Sequence, residues 1–143
     1  MKSNLIPTII LCIFYFPNIV FSESFILKSK NIEILNEGNQ VNAYKGKATS
    51  SDGNLEIKAN KFEYLKNFDT LRSIGDGEVL IKTKQLKIKY DNGIFDQKNL
   101  NLKADGNIEI FQTDGIFVIK TSEIFYDQKN DIVSSNKTTN LKD

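Results

Sequence analysis

A segment of this chain returns about every 31 residues, a period that marks like units stacked side by side. Leu55-Glu56-Ile57-Lys58-Ala59 comes back as Leu86-Lys87-Ile88-Lys89-Tyr90 and again, at the same spacing, as Phe117-Val118-Ile119-Lys120-Thr121. In step with it Tyr64 becomes Phe95 and then Tyr126, and an apolar-x-small triplet follows each aromatic: Leu71-x-Ser73, Leu102-x-Ala104, Val133-x-Ser135. An earlier copy lies upstream, one position short of that spacing, with Leu27-Lys28-Ser29, Ile34 and Val41-x-Ala43. Units of this size bury their apolar faces only against neighbours. Function therefore belongs to the surface the copies build together.

Within each copy apolar and polar residues alternate with period two, the pattern of half-buried strands. Leu55, Ile57 and Ala59 point one way while Glu56 and Lys58 point the other, and no helical stripe competes. Asp52-Gly53, Asp76-Gly77, Asp91-Asn92-Gly93, Asp105-Gly106 and Asp114-Gly115 read as tight turns, because Asp-Gly and Asn-Gly supply the positive φ a hairpin needs. Both prolines, Pro7 and Pro17, precede the repeats, so nothing in the repeats forbids a continuous backbone ladder. The expectation is an all-β protein of many short antiparallel strands, about three per repeat, with an outer face of Lys, Glu, Asn and Gln in solvent.

The first residues read as an export signal: Lys2, then the apolar stretch Leu5–Val20, then Val20-Phe21-Ser22 as a cleavage site. Residues 1–22 are thus expected to leave, with residues 23–143 forming one domain. An uncleaved anchor competes with this reading, although Pro7 and Pro17 interrupt a continuous helix; lipid attachment at Cys12 is disfavoured by Leu11 before it. Lys2 and Cys12 leave with the signal, so the remaining chain is neutral and free of cysteine, and it has no histidine. Neutrality argues against nucleic acid, and the missing His and Cys remove the usual acid-base pairs, thiol nucleophiles and soft metal sites. No catalytic residue, metal site or cofactor is expected. Each Asp beside a glycine reads as a turn residue rather than a calcium ligand. The lysines at 82, 84, 87 and 89 read as one exposed strand face.

The run from Gly46 to Tyr64, Gly-Lys-Ala-Thr-Ser-Ser-Asp-Gly-Asn-Leu-Glu-Ile-Lys-Ala-Asn-Lys-Phe-Glu-Tyr, resembles the OstA-like repeat of LptA-type lipopolysaccharide-transport proteins. Gly46, Gly53, Ile57, Ala59 and Tyr64 match position for position, while Lys47 and Asn60 stand where Asn and Asp are usual. Gly77-Glu78-Val79 and Gly106-Asn107-Ile108 look like the openings of two further copies, and Leu27-Lys28-Ser29-Lys30 like the strand that follows the signal. The resemblance implies an incomplete antiparallel β-jellyroll, a folded and open sheet, that carries lipopolysaccharide across the periplasm. It implies acyl chains on the inner face at Leu27, Leu55, Ile57, Tyr64, Ile88, Phe117, Ile119 and Tyr126. It also implies partners: homologous β-jellyroll domains of inner- and outer-membrane transport proteins, joined by edge-strand addition, and head-to-tail self-association. Thr138–Asp143 reads as the start of another repeat, which leaves open the soluble bridge, an anchored relative or the front of a longer translocon. The competing reading is a secreted structural β-repeat module with a dry core. The unequal repeat spacing, two positions longer from Gly46 to Gly77 than from Gly77 to Gly106, speaks against a regular coil.

Overall fold

The computed structural model describes residues 25–115 and 117–142, so the segment read as a signal lies outside the described residues. Nine strands make one antiparallel sheet: β1 Phe25–Leu35, β2 Gln40–Ser50, β3 Leu55–Leu65, β4 Thr70–Ile81, β5 Leu86–Asp96, β6 Asn101–Gln112, β7 Val118–Asp127, β8 Ile132–Ser134 and β9 Asn140–Lys142. They pair in chain order from β1 to β8, and β9 lies beside the first half of β7 while β8 lies beside its second half. Together β8 and β9 fill the eighth lane. Asn140–Lys142 pairs with Val118–Lys120 of β7.

Each repeat contributes two long strands, not three short ones, and each strand is creased near its middle. On β4 and β6 the crease is a bulge. The register slips by one residue between Ile74 and Gly77 and again between Asp105 and Ile108. The bulge residues Gly75-Asp76 and Gly106-Asn107 all have positive φ, between 45° and 79°. A bulge of this kind kinks and twists a strand. Lys45, Asp76 and Asn107 hold the same left-handed backbone, one repeat apart from each other. Side-chain amides tie each bulge to the next strand, Asn60 donating to Asp76 (2.8 Å) and Asn107 to Asp91 (2.7 Å). The β1–β2 and β2–β3 pairs keep one register throughout. The missing bulge residue is why the copy from Leu27 to Ile57 is one position shorter than those from Ile57 to Ile88 and from Ile88 to Ile119.

Three of the five expected turns are thereby corrected. Asp76-Gly77, Asp91-Asn92-Gly93 and Asp105-Gly106 sit inside β4, β5 and β6, at or beside the crease. The structural counterpart of Gly106, one full repeat earlier, is Gly75 and not Gly77. The hairpins turn instead at residues 36–39, 66–69, 97–100 and 128–131 on one rim, and at 51–54, 82–85 and between β6 and β7 on the other. Asp69, Leu100 and Asp131 take the left-handed conformation on the first rim, again at the repeat spacing. Lys82 and Lys84 lie in one such turn; Lys87 and Lys89 alone belong to the outer face of β5, where both ammonium groups stand over Phe111 and Lys87 pairs with Glu78.

The crease brings the two halves of the sheet together over a single apolar core. Phe25, on the first half of β1, meets Phe95, on the second half of β5, edge to face at 4.7 Å. At the centre the Tyr90 ring lies against Gly77 and Gly93, and its hydroxyl bonds Ser73 (2.8 Å). Burial pushes the Tyr90 phenol up to about 12, with the Ser73 hydrogen bond acting in the opposite direction. Tyr126 is likewise raised by burial and then by Asp131, while Asp52, Asp96 and Asp127 are lowered by hydrogen bonds from their turns.

These shifts set a pH window. The tyrosine contributions are complete below the unfolded phenol value of about 10 and are lost as pH rises through the folded one. The carboxylate contributions are present above about 4 and are lost as pH falls through the lowered folded values. Denaturant unfolding is expected to give constant stability at neutral pH, a fall in acid, and a steeper fall between about pH 10 and 12. Tyr90→Phe should flatten the alkaline limb; an unchanged limb would show that this phenol does not control it.

Candidate functional site

Directly opposed residues of neighbouring strands share a face, and the register turns the repeat into rows. One row crosses every lane on one side of the crease: Leu27, Ala48, Ile57, Val79, Ile88, Ile110, Ile119 and Leu141. The other side carries Ile34, Val41, Tyr64, Leu71, Phe95, Leu102, Tyr126 and Val133. These rows are the inner face of the fold. Leu27, Ile57, Ile88 and Ile119 do stand in register, with Phe117 two residues from Ile119 toward the rim.

The inner face is closely packed at its middle and less covered toward both ends. Leu55, Ile57, Ile88 and Tyr126 are completely buried in the core. Leu27 and Tyr64 line a cavity of about 230 Å³ at the β1 end, together with Phe25, Val41 and Leu71. Phe117 and Ile119 line one of about 210 Å³ at the other end, with Leu86, Ile110 and Val133. Beyond each cavity the inner face continues uncovered: Ile32 and Ile34 are 50% and 70% exposed on β1, and Leu141 is 63% exposed on β9. Each cavity is smaller than the roughly 300 Å³ at which ordinary ligand pockets begin. The eight expected residues thus divide into four that meet solvent-connected space and four that pack the centre. Ile32, Val41, Leu71, Ile110, Val133 and Leu141 belong to the same surface. Pairing the repeat positions across strands was the signal that would have found them.

The outer face is charged and largely self-neutralising, with Lys47–Glu56, Lys87–Glu78, Lys103–Glu123 and Lys120–Glu109 pairs. At the β1 end Lys28, Lys47 and Lys58 also stand directly opposite one another, with Lys47 meeting Glu56 as well. Lysine on an edge discourages unspecific strand pairing.

No family model matches the chain, and no curated protein does. Among solved structures it is similar to LptH of Pseudomonas aeruginosa, described as the LptA-homologous periplasmic component of the conserved lipopolysaccharide transport device. The TM-score is 0.68 over 83% of this chain and 94% of LptH, with 12% sequence identity. The two chains share one fold. The antiparallel all-β sheet expected from the alternation, and the open jellyroll that the resemblance implied, are therefore the fold of LptH, matched nearly from end to end. At so low an identity, what the two share is the path of the backbone.

Proposed function

We propose that this chain is a non-enzymatic periplasmic carrier of lipopolysaccharide, of the LptA type, which holds acyl chains along the inner face of its sheet. The observation that carries the reading is the apolar inner face, whose rows run across every lane and end uncovered at Ile34 on β1 and Leu141 on β9. Acyl chains cross water poorly, and each buried methylene contributes about 0.8 kcal/mol to holding them. A row without fixed polar anchors lets a chain slide rather than stay trapped. Export by the segment 1–22, cleaved after Ser22, delivers residues 23–143 to the periplasm. The free edge of β1 and the short β8 and β9 strands suit strand addition by a second copy or by homologous β-jellyroll domains of inner- and outer-membrane transport proteins. Leu27, Tyr64, Phe117 and Ile119 receive the lipid at the two ends, and Leu55, Ile57, Ile88 and Tyr126 receive it when the centre opens.

The complete burial of Ile57 and Ile88 favours a second reading, a structural module with a dry core. Photo-crosslinking in cells separates the two. A crosslinking side chain at Leu27 or Phe117 is expected to capture lipopolysaccharide, and one at Lys58 or Lys120, on the outer face, is not. Equal capture from both faces, or none from either, overturns the carrier and leaves the structural module.

A further inference from the structure

The rims of the folded sheet differ from its seam in how they are held. Along one rim each hairpin turn is bonded to the next through the backbone: Lys66 N–H to Asn39 O (2.9 Å), Gln97 N–H to Asp69 O (3.0 Å) and Gln128 N–H to Leu100 O (2.9 Å). The opposite rim is zipped the same way, by Lys82 N–H to Asn54 O (3.0 Å) and Thr113 N–H to Gln85 O (2.9 Å). Each rim is therefore a continuous, internally tied lip. Among the described residues no backbone hydrogen bond joins one lip to the other. What crosses the seam is side chains. Gln128 Nε2 donates to Asp52 Oδ2 at 3.1 Å, and Lys84 Nζ pairs with Asp131 Oδ2 at 3.2 Å. Tyr126, from the inner face, donates its hydroxyl to Asp131 Oδ1 at 3.0 Å and so fixes the carboxylate that Lys84 meets.

We infer that Asp52–Gln128 and Lys84–Asp131 form a clasp that closes the seam, and that its release lets the two lips part about the creases. The inference rests on the carrier reading for what enters, but the clasp itself is a property of the fold. Exposed polar contacts of this kind are individually weak, whereas the lips they join are ladders of backbone hydrogen bonds. The crease is equipped for the motion, since Gly75-Asp76 and Gly106-Asn107 interrupt the strand register there. Opening at the seam connects the two end cavities through Ile57 and Ile88. It converts two spaces too small for a multi-chain lipid into one trough.

Spin labels at Thr83 and Lys129, on opposite lips, read the seam by pulsed electron resonance, with labels at Lys66 and Lys98, on one lip, as the control; all are carried by the full chain with Cys12→Ser. Gln128→Ala combined with Asp131→Asn removes the hydrogen bond to Asp52 and the charge that Lys84 meets, while keeping a residue that tolerates the left-handed turn. The cross-seam distance is expected to lengthen and broaden by several ångströms in this variant, with the same-lip distance unchanged. Lys84→Met alone, which leaves Asp131 and its turn intact, should give a smaller change in the same direction. Purified rough-type lipopolysaccharide should lengthen the cross-seam distance in the unaltered protein. A cross-seam distance unmoved by both variants overturns the clasp, whatever the lipid does. Lengthening in the variants with no response to lipopolysaccharide upholds the clasp and counts against the carrier reading alone.

Discussion

Gly77→Ala is expected to destabilise the fold by about 3 kcal/mol, the upper range for overpacking a core, and to lower the melting temperature by about 10 °C. The backbone at Gly77 is not in the left-handed region, so the conflict is one of space alone. An added Cβ would stand 2.1 Å from Cε2 and 2.5 Å from Cδ2 of Tyr90. The ring has nowhere to go. A Cβ at Gly93 would also meet Tyr90 Cε2, at 2.7 Å, and the Tyr90 hydroxyl is held by Ser73. The repeat supplies its own rescue. In the register, Gly77 faces Tyr90, and one repeat later Ile108 faces Thr121. Gly77→Ile with Tyr90→Thr copies that lane and should recover much of what Gly77→Ile alone loses, a coupling measurable in a double-mutant cycle. Additive losses would mean that the two positions do not share this space.

Ile57→Glu should leave no folded protein, whereas Ile119→Glu should leave the fold and abolish lipid capture. Ile57 is 1% exposed among Ala48, Val79 and the rest of the core. An unpaired carboxylate there costs several kcal/mol, against a total stability of about 5–15 kcal/mol for a domain of this kind. Ile119 is half-buried at the β9 end, where a glutamate reaches water, and the cost there is about 1 kcal/mol. Circular dichroism separates the outcomes before any transport assay is read. A folded Ile57→Glu protein would mean that the centre of the trough is already open. A folded Ile119→Glu protein that still crosslinks to lipopolysaccharide from Phe117 would show that Ile119 does not hold the lipid at the β9 end.

The strand pattern was legible because the pleat writes it directly. Period-two alternation in Leu55-Glu56-Ile57-Lys58-Ala59 has one meaning, and the even recurrence of Ile57, Ile88 and Ile119 placed them in one row before any coordinates. The bends were not legible. A bulge and a hairpin ask for the same positive-φ residues, so Asp76-Gly77 and Asp105-Gly106 advertised turns while sitting at creases. The hairpins put Asp69, Gln85, Leu100 and Asp131 in the left-handed region, and Gln and Leu announce nothing of the kind. The crease also shifts the inward phase by one residue along the odd strands, from Ala59 to Phe62 and from Tyr90 to Gly93, so strict alternation misleads across it. Closure of the trough lay furthest from view. It depends on Phe25 reaching Phe95 and Asp52 reaching Gln128, contacts that follow from sheet curvature rather than from spacing along the chain.

The recurrence of one hairpin pattern from repeat to repeat has a consequence for the size of the molecule. Every lane pairs through its backbone only with its neighbours, and the same hairpin geometry returns once per repeat on both rims. Duplicating one such stretch in the gene, for example residues 70–100, would therefore insert two lanes into the middle of the sheet and lengthen it by about 10 Å. The first and last strands, which decide what the molecule meets at either end, would remain as they were. Reach and recognition are thus encoded separately, one by how many copies are present and the other by which strands stand outermost.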